Sequence, residues 1–183
     1  MSQDQENLDC LSQNKTENFF VVGIGASAGG LRALEEFFDH LPPDSGATFV
    51  VIQHLSPDFK SLMKELLERH TQMVVNRVSD GMKLEPNRIY LIPPRHSLII
   101  KNRHLSLIEQ EQNRHHPHFP IDLFFQSLGE DCHEKAVGVV LSGTGTDGTI
   151  GLQTISQNGG LCFVQSPLTA EFDGMPQSGI ATG

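Results

Sequence analysis

The chain lacks the features of a membrane or secreted protein. No apolar stretch of its 183 residues approaches the ~20 that a membrane-spanning helix requires. The N-terminal residues, up to Asn18, are polar and acidic, without the basic and apolar regions of a signal peptide. Only three cysteines are present (Cys10, Cys132 and Cys162), too far apart for a disulfide framework or a CxxC metal site. We therefore expect a cytoplasmic protein that does not insert into membranes.

Basic residues are also scarce. The chain has 13 Lys and Arg against 22 Asp and Glu, a formal net charge of -9. A nucleic-acid-binding protein needs a basic surface to neutralise phosphates, so we expect no nucleic-acid partner. The length predicts one domain, since domains usually have roughly 100–200 residues. We interpret residues 1–18 as a disordered leader and residues 19–183 as the folded domain.

From residue 19 onward, apolar runs alternate with helical patterns. The runs, at 19–24, 48–52, 136–141 and 161–164, are typical of strands buried on both faces of a parallel sheet. Helices are predicted around 31–41, 56–67, 121–134 and 149–157. Strand-like segments at 88–92, 97–100 and 105–108 have no helix between them, which predicts an antiparallel addition. The pattern favours a doubly wound α/β fold: a mostly parallel sheet, helices on both faces, and an antiparallel hairpin addition.

The turn after the first run, Gly23-Ile24-Gly25-Ala26-Ser27-Ala28-Gly29-Gly30, has three interpretations. As G-x-G-x-x-A it matches a dinucleotide-binding fingerprint, which brings a pyrophosphate to a helix N-terminus. As G-x-S-x-G it matches the strand-to-helix turn that presents a serine nucleophile, here Ser27. The third interpretation is structural: a glycine-rich turn in which Ser27 caps the helix.

The residues after the second apolar run favour the interpretation of Ser27 as a nucleophile. A dinucleotide fold usually has Asp or Glu there, to hold the ribose hydroxyls. This chain has Gln53-His54, and an imidazole can act as a general base towards a neighbouring serine. A histidine that caps the next helix is the structural alternative for His54.

The run at 136–141 is followed by Ser142-Gly143-Thr144-Gly145-Thr146-Asp147-Gly148. The carboxyl ends of parallel strands meet at one edge of the sheet, so we expect Asp147 near Ser27 and His54, where it can orient the imidazole. The glycines leave backbone N–H groups free to bind an oxyanion. Alternatively, Asp147 caps the helix predicted to begin near Thr149. The order Ser, His, Asp differs from that of α/β-hydrolases, chymotrypsin and subtilisin.

With these blocks, the sequence resembles the catalytic domain of the chemotaxis protein-glutamate methylesterases, the CheB family. The resemblance covers about residues 19–183 and includes a further block, Asp173-Gly174-Met175-Pro176. It implies hydrolysis of glutamate γ-methyl esters on chemoreceptors or other methylated signalling proteins, with release of methanol. Deamidation of receptor glutamines is implied as a related activity.

The resemblance also implies a role for each site residue. Ser27 would be the nucleophile, His54 the base and Asp147 the residue that orients it. The backbone N–H groups of Ala28 and Thr144 would form the oxyanion hole. Thr144 stands where most members have Met, and Ala28 also departs from the usual residue. Neither change removes a backbone donor.

We expect no counterpart of the family's regulatory receiver domain, since residues 1–18 cannot hold a domain of ~100 residues. The resemblance is therefore closest to the module that opens fused methylesterase–methyltransferase (CheB/CheR) proteins. It implies a methyltransferase domain in the same full-length chain, and we expect the C-terminal end of the catalytic domain to be truncated.

Other classes of function stay open from the sequence. One is a non-catalytic sensory or interaction module of a multidomain signalling protein, and the less favoured one is a dinucleotide-binding domain. A histidine cluster (His115, His116 and His118) lacks acidic or thiol ligands at helical spacing. We expect neither a metal nor another cofactor.

Overall fold

The computed structural model describes residues 18–53, 62–109 and 119–182. The predicted leader therefore lies outside the described residues, except for Asn18. The strands are β1 (Val21–Ala26), β2 (Thr48–Gln53), β3 (Val74–Arg77), β4 (Met82–Lys83), β5 (Arg88–Leu91), β6 (His96–Lys101), β7 (His104–Glu109), β8 (Ala136–Val140) and β9 (Leu161–Val164). The helices are α1 (Gly30–Asp39), α2 (Met63–Leu67), α3 (Pro120–Cys132), α4 (Thr149–Gln157) and α5 (Gly174–Ile180).

Six strands form a parallel sheet in the order β3-β5-β2-β1-β8-β9, and three form a small antiparallel sheet in the order β4-β7-β6. The predicted fold class is confirmed. One detail was wrong: β5, expected in the antiparallel addition, pairs in parallel with β2 and β3. The connection from β3 to β5 passes through β4, a strand of the small sheet, and this crossover allows β5 to run parallel to β3.

The hydrophobic core lies on both faces of the parallel sheet. On one face, α1 and α2 bury Leu34, Phe38, Met63 and Leu67. On the other face, α3 and α4 bury Phe124, Phe125, Leu128, Leu152 and Ile155, and the small sheet adds Leu98, Ile100 and Leu105. Every residue of β1, β2 and β8 is buried, as their continuous apolar runs predicted.

The strand order reverses beside β1. From β1 the chain moves to β2 on one side, and it later returns to β8 on the other. In open α/β sheets, ligands bind outside the carboxyl ends of the strands at such a reversal, so the ends of β1 and β8 mark the expected site. Among the described residues, no helix has the length and apolar character that crossing a bilayer requires.

Candidate active site

Ser27 lies on the turn between β1 and α1. Its backbone carbonyl accepts a hydrogen bond from the Gly30 N–H at 2.9 Å, which closes the turn. The residue that precedes the helix is Gly29, whose φ of 69° is in the left-handed region that glycine tolerates. No side chain caps this helix end. The structural alternative, in which Ser27 caps α1, was therefore wrong.

The loop after β8 lies directly against this turn. The Ser27 N–H donates to the Ser142 carbonyl at 3.0 Å. A Cβ placed on Gly143 would lie 2.9 Å from the Cβ of Ser27, so only glycine allows this approach. Ser27 and the glycine-rich loop thus share the carboxyl edge of the sheet, as predicted.

The segment before α5 holds the loop in place. The Gly143 N–H donates to the Phe172 carbonyl at 3.0 Å, and the Gly143 carbonyl accepts from the Met175 N–H at 2.9 Å. The block at 173–176, which is part of the family resemblance, therefore stabilises the backbone of the site. It fixes the peptide group that links Gly143 to Thr144.

Two backbone donors beside Ser27 have no acceptor within the described ranges: the N–H groups of Ala28 and Thr144. The Ser27 hydroxyl likewise makes no hydrogen bond to any described residue. A hydroxyl flanked by two unused amide donors is an arrangement that can attack a carbonyl carbon and receive the oxyanion that forms.

Asp147 is buried, with 5% of its surface exposed. Its carboxylate accepts hydrogen bonds from the N–H groups of Ile121 (3.1 Å) and Asp122 (2.9 Å), so it caps α3. The alternative that it caps α4 was wrong, since Gly148 is the residue that precedes that helix and the Asp147 carboxylate binds the first turn of α3 instead. Burial raises the pKa of Asp147 to about 6, although the backbone hydrogen bonds oppose the rise.

One side chain connects Asp147 to the end of β1. A Cβ on Gly25 would lie 2.5 Å from Cγ2 of Ile121, and a Cβ on Gly148 would lie 3.0 Å from the same methyl group. The carboxylate therefore lies at the same edge of the sheet as Ser27, on the face covered by α3.

His54 lies outside the described residues. The residue before it, Gln53, ends β2 and pairs in register with Ala26, the residue before Ser27. The ends of β1 and β2 are therefore neighbours. Gln53 is buried, and its Oε1 has no hydrogen-bond partner among the described residues.

The three histidines at 115, 116 and 118 also lie outside the described residues. Within the described ranges, no group of three or more His, Cys, Asp or Glu side chains could hold a metal ion.

Sequence reasoning missed two polar residues at the site. Ser142, 1% exposed, donates from Oγ to the Ala28 carbonyl at 2.8 Å. Asp122 accepts from the Gly151 N–H at 2.8 Å and caps α4, while burial raises its pKa. The sequence holds only a weak signal for these two residues: Ser142 directly follows a buried strand, and Asp122 lies two residues after the proline that begins α3.

The fold and the turn define an α/β protein with a serine presented between a strand and a helix, at the reversal point of a parallel sheet. The model of the CheB methylesterase family matches residues 22–183, and the chain belongs to this family. The methylesterase prediction is thereby confirmed at the level of the family. This membership disfavours the alternative of a dinucleotide-binding domain.

Three relatives illustrate the similarity. A putative protein-glutamate methylesterase/protein-glutamine glutaminase of Leptospira interrogans is 33% identical over 165 residues, which cover 89% of this chain and 84% of that protein. An uncharacterized 104.1 kDa protein of Rhodobacter capsulatus is 46% identical over 121 residues, 66% of this chain but 12% of its own length. The crystal structure of the Thermotoga maritima CheB methylesterase catalytic domain superposes with a TM-score of 0.80 at 28% identity, covering 90% of this chain and 88% of that one.

Proposed function

We propose that the chain hydrolyses glutamate γ-methyl esters on a protein substrate, with Ser27 as nucleophile, His54 as general base and Asp147 as the residue that orients His54. The backbone N–H groups of Ala28 and Thr144 form the oxyanion hole. The observation that carries this proposal is the contact between the Ser27 turn and the loop after β8, with two amide donors that no described residue uses. The name of the Leptospira relative supports the same activity.

The reaction is acyl transfer in two steps. Ser27 Oγ attacks the ester carbonyl carbon while His54 accepts the hydroxyl proton, and the Ala28 and Thr144 amides bind the oxyanion. His54 passes the proton to the leaving methanol, and an acyl-enzyme remains. Water then attacks the acyl-enzyme with the same base. Deamidation of a glutamine follows the same steps, with ammonia as the leaving group.

We further propose a methylated chemoreceptor or other signalling protein as the substrate, and the cytoplasm as the place of action. A methyltransferase domain in the same polypeptide is the proposed further partner. The large Rhodobacter relative, of which this chain spans 12%, supports a setting among other domains. The net charge of -9 supports a partner other than nucleic acid.

The triad is tested with Ser27→Ala and His54→Ala. Each is expected to lower the rate of methanol release from a methylated chemoreceptor at least about 10³-fold, because an unactivated serine is a weak nucleophile. Ser127→Ala, in α3, is the control and keeps the wild-type rate. If Ser27→Ala and His54→Ala also keep it, the triad is wrong.

A fluorophosphonate probe separates the enzyme from a non-catalytic interaction module. We expect the probe to label Ser27 in the wild-type protein and to leave Ser27→Ala unlabelled. A well-folded wild-type protein that resists labelling would favour the non-catalytic module.

A further inference from the structure

We propose that Ser142 is a positioning residue that holds the two amide donors of the oxyanion hole in a fixed relation to each other. This inference rests on the proposed function, because an oxyanion hole matters only if acyl transfer occurs. Ser142 is not itself a catalytic residue: it is 1% exposed, and its hydroxyl already has partners within the protein.

The first donor, the Ala28 N–H, belongs to the peptide group between Ser27 and Ala28. Ser142 holds this group from both sides: its carbonyl accepts from the Ser27 N–H at 3.0 Å, and its Oγ donates to the Ala28 carbonyl at 2.8 Å. The Ser27 carbonyl, bound to the Gly30 N–H, fixes the plane of the group. Because a trans peptide places N–H opposite C=O, the direction of the Ala28 N–H is then set.

The second donor, the Thr144 N–H, is fixed in the same way. It lies opposite the Gly143 carbonyl, which accepts from the Met175 N–H at 2.9 Å. The Phe172 N–H donates to Ser142 Oγ at 3.0 Å, and the Phe172 carbonyl lies 3.3 Å from the same oxygen. Ser142 Oγ therefore joins the turn after β1 to the segment that holds the loop after β8.

A single hydroxyl thus connects three loops. A hydroxyl has one donor and can accept, and Ser142 uses both functions here. The surroundings are tight, since a Cβ on Gly29 would lie 2.7 Å from Ser142 Oγ. Without the hydroxyl, the Ala28 carbonyl and the Phe172 N–H lose a partner, and the backbone hydrogen bond from the Ser27 N–H to the Ser142 carbonyl is left to hold the turn after β1 against the loop after β8.

The test is Ser142→Ala, assayed for methyl-ester hydrolysis beside the wild type. Misplacing a reacting group by about 1 Å can cost about 10²-fold, so we expect kcat to fall by about 10- to 100-fold. The bound ester has no oxyanion, which develops only on the way to the tetrahedral intermediate, so we expect KM to change by less than about threefold.

Ser127→Ala is the matched control. Ser127 Oγ donates to the Phe124 carbonyl at 2.9 Å and accepts from the Ile100 N–H at 3.1 Å, so it also joins two elements, away from the Ser27 turn. The melting temperature of both alanine variants should fall, but kcat only in Ser142→Ala. If Ser142→Ala does not fold, Ser142→Cys replaces it, because a thiol has similar shape but is a weak donor.

The outcomes separate this inference from the proposed function. If Ser27→Ala abolishes hydrolysis and the folded Ser142 variants keep the wild-type kcat, the positioning role is overturned and the proposed function stands. A fall in kcat of equal size in Ser127→Ala, or a rise in KM alone, also overturns it. If the wild-type protein hydrolyses no ester, both proposals fail.

Discussion

Among single residues, the buried carboxyl group of Asp147 contributes to the free energy of unfolding by an amount that depends on pH. Burial raises its pKa from the ordinary 3.8 to about 6. Between these values the folded protein binds a proton that the unfolded chain has released. By linkage, the contribution of this group to the free energy of unfolding is highest below pH about 4 and falls as the pH rises to about 6. The difference is roughly 3 kcal/mol, at 1.36 kcal/mol for each pKa unit.

We expect Asp147→Asn to remove this dependence, because an amide does not titrate. Urea unfolding between pH 4 and 7.5 gives the free energy of unfolding of both proteins. The wild-type value minus the variant value should fall by up to roughly 3 kcal/mol as the pH rises from 4 through about 6, and should stay constant above about pH 7. Asp44→Asn, at an exposed position, controls for the change in net charge. A difference that is flat across the whole range would show that Asp147 is not buried as described.

The same residue connects stability to the proposed chemistry. The proposed triad needs Asp147 ionised, because a carboxylate stabilises the protonated imidazole and a neutral acid does not. The charged form that the proposed reaction uses is therefore the form that burial disfavours. Hydrogen bonds from the N–H groups of Ile121 and Asp122 stabilise the ionised carboxylate and so favour this form at neutral pH.

At the scale of elements, α3 and α4 are joined by exchanged caps. Asp147, which lies just before α4, caps α3, and Asp122, in the first turn of α3, caps α4. The helices also approach closely at glycines: a Cβ on Gly129 would lie 3.1 Å from backbone atoms of Ile155. Asp147 thus keeps its position only while the two helices stay in contact.

A substitution at Gly151, in α4, tests the contact between α3 and α4. A Cβ there would clash with Cβ of Phe125 and lie 3.2 Å from the Cα of Asp122, atoms that cannot move without shifting α3. We expect Gly151→Ala to lower the free energy of unfolding by about 1–3 kcal/mol, although alanine favours helices by about 1 kcal/mol over glycine.

The matched control is Gly179→Ala in α5, where the nearest atoms are side-chain methyl groups at 3.1 Å or more. Urea unfolding should find this variant within about 1 kcal/mol of the wild type. If Gly151→Ala is no less stable than Gly179→Ala, the close approach of α3 to α4 is wrong.

In the molecule as a whole, the sequence predicted those features that a local pattern of residues determines. The continuous apolar runs identified the central strands, and the rule that parallel strands end at one edge placed Ser27 near the loop at 142–148. Pairing between distant segments was less predictable. The partners of β5 depend on β3, a four-residue strand in which only Val75 is buried.

Parts of the site could not be predicted for a similar reason. Asp147 caps a helix that begins 27 residues earlier in the chain, at Pro120, rather than the helix that follows it. The Ser142 side chain binds residues from two other loops. Such contacts exist only after the sheet has brought its strand ends together, and no local spacing encodes them.

The same architecture predicts the order in which the molecule opens. β1 lies between β2 and β8 with all six residues buried, whereas β9, at the edge of the sheet, has three of its four residues exposed. Local opening requires least free energy where few buried contacts are lost. Native-state hydrogen exchange should find the amides of β1 and β8 exchanging only through global unfolding, and those of β9 through smaller openings.

This order has a consequence for the site, because Ser27 and the loop at 142–148 follow the two strands expected to open last. Low concentrations of urea should increase exchange in β9 while fluorophosphonate labelling of Ser27 stays at its native rate. Labelling should be lost only with global unfolding, measured by circular dichroism on the same samples. If labelling falls together with the opening of β9, the site depends on the sheet edge rather than on its centre.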